Sequence, residues 1–310
     1  MIYTVTLNPA LDKTAYIPNF TVNTVNRMSK LRIDPGGKGI NVSKVISKLG
    51  GKSIAIALLG GATGSYILSA LKGQGIECKP FEIGSETRTN LKVVDPKLNT
   101  HTDINEPGPC VKEQDLNSVL KALTSHLKGN DIVVLSGSLP RDAPVNTYAT
   151  WTRACKEAGA KVFLDADGDK LAKGIEASPY LIKPNEIELG ALLGRTLDTD
   201  SKVMEAAHEL VARGIKNVVV SMGANGAIFA TKEQAFKAQA LKVPVGSTVG
   251  AGDSVVAALA YAESNDLPVE DTIRLAMATG AANVMQSGTQ AAERSAINKL
   301  IGHVNFSAIE

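Results

Sequence analysis

Short apolar runs alternate with helix-like stretches along most of the chain. Ile54–Leu59, Ile132–Ser136, Val162–Asp165, Tyr180–Lys183 and Val218–Ser221 are brief and rich in Val and Ile, the pattern of strands buried on both faces. Between them, Val42–Leu49, Ser65–Lys72, Asp115–Leu127, Pro144–Ala158, Val203–Ala212 and Asp253–Glu263 carry helical patterns. This alternation predicts an α/β fold, a mainly parallel sheet with helices on both faces. Two segments break the rhythm. Ala15–Asp34 and Thr87–Glu106 are polar, alternating and β-branched, with no helix between their strands. They predict a separate small sheet, either a lid that shields a reacting centre from water or a solvent-facing extension.

Length and charge narrow the class. The 310 residues show no long linker, repeat or low-complexity tail, so one domain over residues 1–310 is expected, with the two odd segments inserted in it. Hydrophobic residues make up 44%, enough for a sizeable core. Lys and Arg number 33 against 31 Asp and Glu, a net charge of +2. That balance gives no reason to expect nucleic acid or an anionic membrane as partner. No apolar run reaches the roughly 18 residues of a membrane span. Ile2–Leu7 reads as a strand, not a signal peptide. Cys78, Cys110 and Cys155 are odd in number and form no CxxC, which argues against a disulfide framework or zinc site and for a reduced, cytoplasmic setting. The four histidines are scattered without metal-ligand spacing.

Four constellations could carry chemistry. Pro35-Gly36-Gly37-Lys38-Gly39-Ile40-Asn41 places three glycines around a lysine just before a helix. Backbone amides can approach a ligand closely there, and the helix N-terminus favours negative charge; a tight strand-to-helix turn has the same composition. Val249-Gly250-Ala251-Gly252-Asp253-Ser254-Val255 opens a long small-residue helix. Amides from Gly250, Ala251 and Gly252 would suit a phosphoryl group in transit. A carboxylate beside such a nest would repel bound anions, yet fits a base that deprotonates a hydroxyl; a first-turn aspartate is also an ordinary helix-start residue. Lys183-Pro184-Asn185-Glu186-Ile187-Glu188 ends a strand. Asn185 and Glu188 could meet a hydrated magnesium ion, or simply cap a helix. Ser221-Met222-Gly223-Ala224-Asn225-Gly226-Ala227 is a Gly-rich turn after a strand, able to lie under a nucleotide phosphate or to form a hairpin. Gly51-Lys52-Ser53 is not a P-loop, because Ile46 stands where the first glycine is required, and Val42 and Val255 interrupt any GxGxxG.

Taken in order, these motifs resemble the PfkB group of the ribokinase-like family across almost the whole chain. The set runs from Asn8-Pro9-Ala10-Leu11-Asp12 through the Gly36–Val42 loop and Ser136-Gly137-Ser138-Leu139-Pro140 to the three later motifs. The resemblance implies a three-layer α/β/α sandwich with a small β lid, and transfer of phosphate from ATP, with Mg2+, to a sugar hydroxyl. By it, Asp253 is the base and Gly250, Ala251 and Gly252 form the anion hole. Asp12, Gly37, Lys38, Asn41 and Ser138 hold the sugar. Lys183, Ser221, Gly223, Ala224, Asn225, Gly226 and Asn283 line the nucleotide site, and Asn185 and Glu188 organise magnesium through water. Thr6–Asp12 is similar to 1-phosphofructokinases and tagatose-6-phosphate kinases. A substrate that already bears phosphate calls for cations, and Lys38, Arg88 and Arg27 are the candidates. Thr102–Pro109 resembles the TEINEPGP run of 1-phosphofructokinases, with Asp103 in place of Glu. Fructose 1-phosphate is therefore the expected acceptor. Tagatose 6-phosphate and a catalytically silent sugar-phosphate sensor are the alternatives, and a homodimer joined through the lids is expected by resemblance.

Overall fold

Residues 1–309 are described by the structure, a computed structural model. In chain order the strands are β1 (Ile2–Thr6), β2 (Ala10–Tyr16), β3 (Lys30–Gly36), β4 (Ser53–Leu59), β5 (Glu77–Glu82), β6 (Arg88–Asp95), β7 (Thr100–Asn105), β8 (Ile132–Ser136), β9 (Lys161–Asp165), β10 (Leu181–Ile182), β11 (Asn217–Ser221), β12 (Ala227–Ala230), β13 (Ala235–Ala238) and β14 (Phe306–Ile309). The helices are α1 (Lys38–Lys48), α2 (Gly61–Gly73), α3 (Glu113–Thr124), α4 (Thr147–Glu157), α5 (Gly168–Ile175), α6 (Glu186–Leu193), α7 (Asp200–Ala212), α8 (Ala251–Ser264), α9 (Val269–Val284) and α10 (Arg294–Ile301).

The large sheet has the order β14-β13-β12-β11-β10-β9-β8-β1-β4-β5. From β5 to β11 its neighbours pair in parallel, and β12, β13 and β14 add an antiparallel meander. Successive residues of a strand point to opposite faces, so each parallel strand feeds two cores. On β8, Val133 and Leu135 pack with residues of α3, α4 and α7, while Ile132 and Val134 pack with residues of α1, α8 and α9. All four are essentially inaccessible, and each such side chain contributes about 1.5–3 kcal/mol of burial free energy. The expected α/β/α layering is therefore present, and it explains why these strands read as unbroken apolar runs.

The second sheet has the order β3-β2-β6-β7. β2–β3 and β6–β7 are antiparallel, and β2–β6 is parallel. Its strands fall in the two expected segments: β6 and β7 lie within Thr87–Glu106, while the first pair extends beyond Ala15–Asp34 at both ends, β2 starting at Ala10 and β3 running to Gly36. Asp12 is therefore part of the small sheet, opposite Asp34 on one side and Asn90 on the other. The outer strand β3 exposes Leu31 and Ile33, β7 exposes Ile104, and the β2–β3 connection exposes Val22, Val25 and Met28. The expected strand Tyr180–Lys183 shortens to β10, and at its carboxyl end the reason is that Pro184 has no N–H for the ladder and Asn185 already caps α6. No described helix is long and apolar enough to cross a membrane.

Candidate active site

The carboxyl ends of parallel strands, next to helix N-termini, are the natural ligand position in such a sheet. Here the ends of β1, β8 and β9 meet the starts of α1 and α8 under the small sheet. A cavity of about 470 Å³ opens there. Asp12, Gly37, Lys38 and Asn41 line it, as do Arg88, Ser138, Gly250 and Asp253.

Two glycine loops frame the cavity. α1 starts at Lys38 after Gly37, whose φ of 114° is open to glycine. A Cβ on Gly39 would lie 2.6 Å from the Val5 carbonyl, so the third glycine of this loop seats α1 against β1. α8 starts after Gly250, at φ 79°. Asp253 lies in the first turn of α8 and is buried. Its Oδ2 accepts a hydrogen bond from Asn41 Nδ2 at 2.8 Å. Burial, together with the charge on Asp165, pushes its carboxyl up to about 6, against the opposing pull of Lys38, Asn41 and Lys183.

Asp165, at the end of β9, was not singled out from the sequence. It is buried between two ammonium groups: Lys38 Nζ lies 3.2 Å from Oδ2 and Lys183 Nζ 3.7 Å from Oδ1. Burial works to raise the Asp165 carboxyl, but Lys183 and Lys38 outweigh it and hold the carboxyl below its ordinary range. Burial likewise works against the charge of Lys38, and Asp165 and Asp253 overcome it. Lys38 thus stands on the Asp253 side of the cavity. Asn90 was also missed; its Nδ2 donates to Asp12 Oδ1 at 3.0 Å and its own Oδ1 is buried without a partner. Burial raises the Asp12 carboxyl against the Asn90 bond and Lys44. Arg88 donates to the carbonyls of Asn8 and Glu106. Asn8 Nδ2 donates to Ser138 Oγ at 3.1 Å and to the Leu139 carbonyl. The strand-end position of Asp165 was the available signal; Asn90 offered none.

The expected nucleotide-side residues lie outside this cavity, most of them just after β10 and β11 and Asn283 in α9. Lys183 lies beneath the α8 loop, where a Cβ on Gly252 would be 3.2 Å from its Nζ. Gly223–Asn225 form a single 3₁₀ turn, closed at Gly226 with φ 89°. Ser221 N donates to the Pro184 carbonyl, joining that turn to the start of α6. Asn283 is buried; its Oδ1 accepts from Ala292 N and its Nδ2 reaches the Gly250 carbonyl, so it braces the α8 loop from behind. Asn185 and Glu188 form a reciprocal cap, each side chain accepting from the other's backbone N–H at 2.7 and 2.9 Å. One Glu188 carboxylate oxygen is left over for water. Arg27 is exposed in the β2–β3 connection and does not line the cavity. The described residues contain no cluster of three His, Cys, Asp or Glu able to hold a metal by themselves.

Comparison with known proteins gives a consistent picture. The family profile described as pfkB family carbohydrate kinase matches residues 5–296. The chain is 39% identical over 282 residues to the 1-phosphofructokinase of Bacillus subtilis (strain 168), covering 91% of this chain and 92% of that one. It is 41% identical over 278 residues to the 1-phosphofructokinase of Rhodobacter capsulatus, covering 89% and 88%. The crystal structure of phosphofructokinase-2 from Escherichia coli in complex with fructose-6-phosphate superimposes with a TM-score of 0.92 at 30% identity, covering 97% of this chain and 98% of that one.

Proposed function

The chain belongs to the pfkB family of carbohydrate kinases, and we propose that it transfers the γ-phosphoryl group of ATP to the 6-hydroxyl of fructose 1-phosphate, giving fructose 1,6-bisphosphate. The observation that carries the reading is the placement of Asp253. It is a buried carboxylate in the first turn of α8, facing the same cavity as Asp12 and Arg88. Asp253 takes the proton of the acceptor hydroxyl, and a carboxyl near 6 is ionised at neutral pH yet basic enough for that task. The amides of Gly250, Ala251 and Gly252, with Lys38 and Lys183 on either side, stabilise negative charge on the phosphoryl group as it passes. Asp12 and Asn90 hold sugar hydroxyls. Arg88 presents the guanidinium for the phosphate already on the substrate, since a planar fork suits that anion. The two curated 1-phosphofructokinases, at 39% and 41% identity, support fructose 1-phosphate over fructose 6-phosphate.

Asn185 and Glu188 fit magnesium only through water, because their direct lone pairs are partly used in the α6 cap. When bound, the ion would neutralise phosphate charge on ATP. The exposed apolar residues of β3, β7 and the β2–β3 connection support a homodimer formed through the small sheets, since patches of this kind on soluble proteins mark contact surfaces.

The decisive test is an ADP-release panel over fructose 1-phosphate, fructose 6-phosphate, tagatose 6-phosphate and unphosphorylated sugars, compared by kcat/KM. Fructose 1-phosphate should lead. Preference for tagatose 6-phosphate would move the assignment to that branch, and no ADP release with any sugar phosphate would leave a sensor. Asp253→Asn should cut turnover by a factor of about 10³ or more with ATP binding nearly intact; near-normal turnover would remove Asp253 as the base.

A further inference from the structure

Lys44 has no part in the chemistry above, yet it is a buried cation on the inner face of α1, 7% exposed. Its Nζ donates to acceptors from three separate segments. These are the Pro35 carbonyl at the end of β3 (3.1 Å), the Thr289 carbonyl between α9 and α10 (2.9 Å) and Asn41 Oδ1 (3.3 Å). Three acceptors match the three N–H bonds of an ammonium group. Asn41 passes the contact on, donating Nδ2 to Asp253 Oδ2 at 2.8 Å.

A primary amide has one accepting and one donating end of nearly equal shape, and its neighbours decide which way it points. An ammonium can only donate. Lys44 therefore claims the oxygen of Asn41 and leaves its NH2 for the carboxylate. Reversal of the amide would set an oxygen against Asp253 Oδ2. The same ammonium is tied to the small sheet. Pro35 is the penultimate residue of β3, and Gly288, one residue before Thr289, lies under Arg32 of β3, where a Cβ would come within 2.6 Å of Arg32 Nη2.

We propose that Lys44 is a positioning residue for phosphoryl transfer, setting the polarity of Asn41 so that Asp253 keeps one oxygen fixed and the other toward the acceptor hydroxyl, and linking that arrangement to the seating of the small sheet. This rests on Asp253 being the base. Around Lys44 stand Asp12 of β2, Asp34 and Arg32 of β3 and Asp253 of α8. Burial draws its ammonium below the ordinary lysine range, and Asp34 and Asp12 oppose that most. Around Asp253 stand Lys38 of α1, Asp165 of β9 and Lys183 after β10.

The test is steady-state kinetics of the wild type, Lys44→Met, Asn41→Ala and the double variant from about pH 5 to pH 9, with thermal melts as a check of folding. Lys44→Met should lower kcat by about 10- to 100-fold, the cost of a misplaced catalytic group, with little change in KM for ATP. The acid limb of kcat/KM should move upward by about half a unit or more, because Asp253 loses a fixed donor and a nearby positive charge. In the Asn41→Ala background, Lys44→Met should add less than about a 3-fold further loss, since both changes break one chain. Lys44→Leu, which likewise leaves the Asn41 oxygen without its donor, takes the place of Lys44→Met under the same criteria if the latter does not fold. An unmoved acid limb together with additive losses would overturn the inference, leaving Lys44 as a packing element. Asp253→Asn separates the two claims: if it stays active the base assignment falls, and if it is inactive while Lys44 variants keep the wild-type limb, only the role of Lys44 falls.

Discussion

Asp253 carries an internal conflict that its neighbours only partly resolve. Its carboxyl stands near 6 in the folded chain against an ordinary 3.8, chiefly through burial. The native state thus holds a proton that the unfolded chain has already released. Stability from this group is present below about pH 4 and declines as pH rises toward about 6, by on the order of 3 kcal/mol. Asp253→Asn should erase that decline, leaving an inactive protein more stable than the wild type at pH 7.5 but not at pH 4. Urea unfolding of both proteins at the two pH values measures it; an equal difference at both would show that the carboxyl is not held up by burial. Residues of this kind divide sharply in how readable they are. Asp253, Lys38 and Asp12 sit in spaced motifs and could be named from sequence, and Arg88 only as a cation suited to a phosphorylated substrate. Lys44 looks like any solvated helix lysine, because its acceptors lie at Pro35 and Thr289, the latter 245 residues away. Asp165 ends a strand in the usual way, and only the folded chain brings Lys38 and Lys183 to it.

At the scale of elements, the site is made by how helices begin. Gly250 precedes α8 in the left-handed region, and Asn283 braces it from α9. Gly250→Ala should cost about 1–2 kcal/mol in stability, the strain of a side chain at positive φ. It should also lower kcat by at least about 10-fold with little effect on KM for the sugar phosphate, because the amides move while the sugar contacts do not. Denaturant unfolding with parallel kinetics checks both, and a loss of stability without a loss of kcat would separate the turn from catalysis. Strand–helix alternation announced most elements, since a strand buried on both faces must be apolar throughout. The β12–β13–β14 meander was only hinted at by the apolar stretch after Gly226. Its strands are four residues each, and β14 arrives from the far end of the chain to pair with β13. The start of β2 at Ala10, ahead of the expected Ala15, was hidden because its pairing with β6 lies some 78 residues off, at Asp12↔Asn90.

For the molecule as a whole, the small sheet has one face on the cavity and an apolar outer strand toward solvent. If two copies meet there, Leu31→Glu with Ile33→Lys should halve the mass seen by light scattering and raise the share of phosphoryl groups lost to water, because the lid loses its support. A dimer that survives both substitutions would place the contact elsewhere. The order of the large sheet has one more consequence, and it concerns time. β1 lies inside the sheet between β4 and β8, with Ile2 opposite Ile132. The contact between α1 and α8 closes still later, through a hydrogen bond from Asn41 to Asp253 that spans 212 residues. Long-range pairings of this sort are slow to form, since chain entropy is lost before the contacts repay it. A growing polypeptide can pair β1 with β4 early, but it must keep the β8 edge of β1 open until Ile132 and its neighbours have been made. On the proposed reading, until α8 is in place it has a surface for the sugar but no group to activate it.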